Sequence, residues 1–101
     1  MGQSLLQYYI ILAKKGTKDS ISKIMQNLNE NMTIAESKFI DFALSHIDND
    51  EGNKVMEYYL FHGTQIQRNY CTLYFGRLGE YLIIREAYNK GLIDAKQAFS
   101  R

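Results

Sequence analysis

The sequence predicts an all-α protein, a single compact bundle of five to seven short helices with a C-terminal helical hairpin as its core. Three observations lead there. The 101-residue chain has no proline, one valine (Val55) and four threonines, so the β-branched, turn-bounded runs that make strands are missing. Its eleven isoleucines are β-branched, but they recur at helical spacings. Glycines and short polar residues fall where helices would end or begin.

Length and composition set the frame. A chain of 101 residues is expected to form one domain, 1–101, and to bury about two-thirds of its unfolded surface without staples. The hydrophobic fraction of 46% and charged fraction of 23% are those of a globular protein. Cys71 is the only cysteine, so no intrachain disulfide can form, which fits a reducing, cytoplasmic setting. No segment reaches the ~18–20 apolar residues of a membrane span. The first fifteen residues have their apolar run before their lysines and do not read as a signal peptide. Position 6 is Leu, so the N-terminus does not fit a myristoylation signal.

The elements follow in order. Residues 3–15 read as a first helix, with Leu5, Tyr9, Leu12 and Leu6, Ile10, Ala13 on a wide apolar face. Lys14 and Lys15 suit its C-terminal dipole and Gly16 its cap. Thr17 or Asp19 can cap a second helix to about Leu28, whose Ile21, Ile24, Met25 and Leu28 match i, i+3, i+4, i+7. The Asn-rich run 27–31 ends it. Thr33-Ile34-Ala35-Glu36 is a capping box, opening a third helix to about Ile47 with a buried stripe of Phe39, Ile40, Ala43, Leu44 and Ile47. Residues 48–53 are an acidic loop. Calcium ligation fails there in register, because the sixth position is Asn53 where an EF-hand needs Gly and the twelfth is Tyr59 where it needs Glu. The loop reads as a solvated turn whose acids also suit the start of the next helix. A fourth helix runs from near Asn53 to His62, with Val55, Met56, Tyr59 and Leu60 as its apolar face.

Residues 65–89 form the most apolar and aromatic long stretch. As one helix it would align Ile66, Tyr70, Tyr74, Arg77, Tyr81, Ile84 and Tyr88, with Cys71, Phe75, Leu78 and Leu82 as a second stripe. Gly76 and Gly79 each cost about 1 kcal/mol inside a helix, so a turn near Gly79 is expected. After Gly91, Asp94 can cap a short terminal helix to Ser100 or Arg101, docked by Ala95, Ala98 and Phe99.

Tyr74-Phe75-Gly76-Arg77-Leu78-Gly79-Glu80-Tyr81, followed by Ile84, Ala87-Tyr88 and Gly91-Leu92, resembles the hairpin of a single tetratricopeptide-type repeat. Gly79, Glu80 and Tyr81 match that family's turn. Thr72 and Phe75 match the small and aromatic positions of its first helix, Tyr88 and Gly91 those of its second. Arg68, Cys71 and Ile84 replace the family's Trp, Leu and Ala, and no second copy lies at its period of about 34 residues. The resemblance implies a local helical hairpin. The rest of the chain is similar in style to small bacterial all-α proteins.

His46 and His62 are sixteen residues apart with no metal-ligand spacing around them. Cys71 lies on the apolar stripe, as a small hydrophobe does. No phosphate-binding glycine loop is present, and Glu80 and Glu86 face different ways on a helix. No cofactor or metal is expected, and enzymatic chemistry has no positive support. What remains is Gln65, Gln67, Arg68, Asn69, Tyr70, Arg77, Arg85 and Arg101, residue types that contact phosphates and bases and also enrich protein interfaces. Net charge is +1. Residues 1–53 carry five Lys against seven Asp/Glu, and residues 54–101 seven Lys/Arg against four, too mild an asymmetry to name a partner. Eight tyrosines exceed what a small core needs. The reading is therefore a non-enzymatic protein-interaction module, a homodimer or an immunity- or antitoxin-like binder. Arg68, Tyr70, Tyr74, Arg77, Tyr81 and Arg85 are its candidate contact residues, and the partner is a protein, its own copy included, with no membrane. The alternative is a helical protein of nucleic-acid binding or processing.

Overall fold

Side-chain caps set most of the helix starts in the computed structural model, which describes residues 4–99. Arg101, the proposed start at Gln3 and the proposed end at Ser100 lie outside the described residues. Those residues form an all-α structure of seven helices: α1 Leu5–Lys15, α2 Lys18–Gln26, α3 Ile34–Leu44, α4 Asp50–His62, α5 Gln65–Arg77, α6 Tyr81–Asn89 and α7 Ala95–Phe99. Ser4, Thr17, Thr33 and Thr64 each accept from the amide three residues on, and each box is closed by Gln7, Ser20, Glu36 or Gln67 reaching back. Each cap of this kind is worth about 1 kcal/mol. The contacts divide the chain into two compact units, Met1–Met56 and Glu57–Arg101, with the boundary inside α4.

In the first unit, α1 packs on α3 and α2. Ile21, Ile24, Met25 and Leu28 are all buried, as their spacing predicts. Full burial of each is worth roughly 1.5–3 kcal/mol before the entropy of ordering is set against it. Tyr9 of α1 is also buried, and burial, then the Glu36 carboxylate and Tyr8, raise its phenol above the ordinary range.

Four expectations are corrected here. Helix α3 ends at Leu44, although Ile47 beyond it is still buried, and Phe39 is only half-buried. Helix α4 begins at Asp50, three residues early. The acidic loop is also more than a solvated turn. Asn49 accepts from the Gly52 amide (3.2 Å) and donates to the Gly16 carbonyl (3.1 Å), while Glu51 accepts from the Lys18 amide (2.8 Å). The start of α4 thereby satisfies backbone groups at the α1–α2 junction that no local partner serves.

In the second unit, α6 contacts α5, and α7 contacts both. The stretch 65–89 is two helices. Helix α5 closes in a Schellman turn, with Glu80 N–H donating to the Phe75 carbonyl (3.0 Å) and Gly79 N–H to Gly76 (3.1 Å). Gly79 sits at φ +72°, a conformation only glycine adopts without strain. The same motif closes α6, from Leu92 to Ala87 and from Gly91 to Tyr88, with Gly91 at φ +75°. Side-chain hydrogen bonds from Gln97 tie helix α7 to α5. Gln97 pairs reciprocally with Asp94, accepts from Gln65 Nε2 (3.2 Å) and donates to Asn69 Oδ1 (3.3 Å). Ala98 is buried as expected, but Ala95 is exposed.

Candidate functional site

The turn at residues 78–80 resets the helical phase, and the site follows from that. One continuous helix would have put Leu78 and Leu82 beside buried Cys71 and Phe75. Instead Leu78 is 53% and Leu82 86% exposed. In α6, at about 100° per residue, Ile84 and Ala87 share the inner face and are buried. Tyr81, Arg85 and Tyr88, at i, i+4, i+7, run along the outer side, with Leu82 next to them. All four are exposed. Phe99 of α7 lies against Tyr88, with ring centroids 5.1 Å apart in an edge-on pair.

Between α6 and α7 lies an open groove of about 370 Å³, lined by Tyr81, Leu82, Ile84, Arg85, Ala98 and Phe99. Its walls are apolar or aromatic, and its one charged lining residue is Arg85.

The six sequence-predicted contact residues do not gather in one place. Tyr81 and Arg85 meet at the groove. Arg77 is exposed in the last turn of α5. Tyr70 and Arg68 are half-buried. The Arg68 Nε is enclosed and makes no hydrogen bond among the described residues, while its carbonyl accepts from the Thr72 hydroxyl (2.8 Å). Tyr74 is 2% exposed, a core residue. Burial pushes its phenol up to about 12, the nearby Cys71 adds to the rise, and Arg77 opposes it.

The polar residues grouped with them serve the fold. Gln67 closes the α5 capping box, and Gln65 and Asn69 hold Gln97. Cys71 is fully buried, and burial drives its thiol far above the ordinary range, the opposite of an activated nucleophile. His46 contacts the Phe42 carbonyl through Nδ1 (3.2 Å) and the Phe42 ring edge-on (centroids 5.0 Å apart), and His62 lies over Tyr58 (4.8 Å). Among the described residues no group of three or more His, Cys, Asp or Glu is placed to hold a metal ion. No helix among them is long and apolar enough to cross a membrane.

Sequence reasoning missed Leu82 and Phe99 as site residues. A phase carried through the turn puts Leu82 on the buried stripe, and the pattern of the terminal helix gives Phe99 a docking role. The usable signal was Gly79 itself, since a helix restarting at Tyr81 puts Leu82 off the Ile84–Ala87 face. No family model, curated protein or solved structure matches the chain.

Proposed function

We propose that the protein is a helical protein-interaction module whose contact surface is the outer face of α6 together with Phe99 of α7. One observation carries this reading. Leu82 (86% exposed), Tyr81 (55%) and Phe99 (55%) converge on one groove beside Arg85. Singly exposed apolar residues are ordinary, but a clustered set implies a surface that something covers. Tyr and Arg are the types that supply binding energy at such surfaces. The partner is a protein, a second copy of this chain included. The nucleic-acid alternative keeps its arginines, but the amides of Gln65, Gln67 and Asn69 that would read bases are bonded within the fold.

Sedimentation velocity over a range of concentrations, with affinity capture from lysate, tests the proposal by comparing the full chain with Leu82→Asp. A complex formed by the parent chain and lost in the variant is expected. A monomer that captures nothing, or a complex indifferent to the substitution, overturns it. Retention on DNA or RNA that fades steeply with salt would favour the alternative instead.

A further inference from the structure

We propose that the α6–α7 groove takes an acidic segment of a protein partner, with an apolar side chain seated against Leu82 and Phe99 and a neighbouring carboxylate on the Arg85 guanidinium. This rests on the interaction-module reading and names the chemistry of its partner.

The charge pattern selects this occupant. The groove lining holds one cation and no acid. The acid next to Arg85 in sequence, Glu86, is paired with Lys90 at 3.4 Å. Guanidinium binds carboxylate through two parallel N–H bonds, a geometry a lysine cannot supply. The walls around Arg85 are apolar, so seating a side chain there excludes water and strengthens the charge pair. A basic or purely apolar segment would leave Arg85 repelled or covered without a partner, which opposes binding.

The test uses a phage-displayed random peptide library panned on the full-length protein. Selected peptides are then synthesised and their affinity measured by fluorescence anisotropy. The variants Leu82→Asp and Arg85→Glu alter exposed positions, and circular dichroism confirms that each remains helical. Selected peptides are expected to pair Asp or Glu with a large apolar residue. Their binding should weaken about tenfold or more in Arg85→Glu, and peptides with Lys in place of the acid should bind that variant better than the parent. It should also weaken as salt rises. Peptides that lose binding in Leu82→Asp but ignore Arg85→Glu overturn the acidic occupant and leave the module reading standing. Peptides indifferent to both variants, or no enrichment above background, count against the groove itself.

Discussion

Helices α5 and α6 come from one run of similar apolar and aromatic wording, yet they do opposite jobs. Helix α5 buries Gln67, Cys71, Thr72, Tyr74 and Phe75 and starts on a two-way cap between Thr64 and Gln67. Helix α6 buries Ile84 and Ala87, and Glu80 gives it no side-chain cap. It turns Tyr81, Leu82, Arg85 and Tyr88 outward. The difference teaches that apolar content does not assign a helix to the core. Phase does, and here three residues of turn reset it.

The largest test of this contrast is a pair of truncations. Phe75→Ala, at a side chain 1% exposed, should cost about 3–5 kcal/mol in urea denaturation. Leu82→Ala, at 86% exposed, should stay within about 0.5 kcal/mol. Similar losses at both would mean that Leu82 is covered and would break the comparison.

A second test is alkaline. The Tyr74 phenol, ordinarily at 10.0, is pushed up to about 12 in the fold. The unfolded chain therefore ionises first. The stability this group contributes is intact below pH 10 and lost as pH rises through 12. Tyr74→Phe should lose less stability than the parent chain between pH 10 and 12, measured by denaturant midpoints. Tyr9 and Cys71 are raised as well, so part of the loss should remain. An unchanged pH profile would place Tyr74 in solvent.

The third test falls on the turn between the two helices. An added Cβ at Gly79 meets nothing within 4 Å, so Gly79→Ala should cost only its backbone strain, about 1–2 kcal/mol in thermal or urea unfolding. No loss would show that the turn tolerates a right-handed conformation, and a much larger one that the α5–α6 junction is crowded.

What could be read from the sequence was what depends on near neighbours. The i, i+3, i+4, i+7 run from Ile21 to Leu28, the Thr33–Glu36 box and the turn at Gly79 all rest on groups within seven residues of one another. What was missed depends on distant partners. Helix α4 starts early because Asn49 and Glu51 are held by Gly16 and Lys18, each 33 positions back, and a local reading sees only a polar loop there. Gln65 and Asn69 looked available because Gln97, which occupies them, lies 32 and 28 residues on. Tyr81 and Arg85 were legible as contact residues by type. Their meeting with Phe99 was not, because it needs α7 brought back against α6.

Cys71 has a use that follows from its place in α5. It is the chain's one thiol. It is wholly enclosed, and it is held protonated by its surroundings. An alkylating reagent can reach it only when α5 opens, and only the thiolate that then forms will react. The native chain therefore carries its own clock: the labelling rate counts openings of the helix that the outward-facing α6 leans on, with no residue substituted.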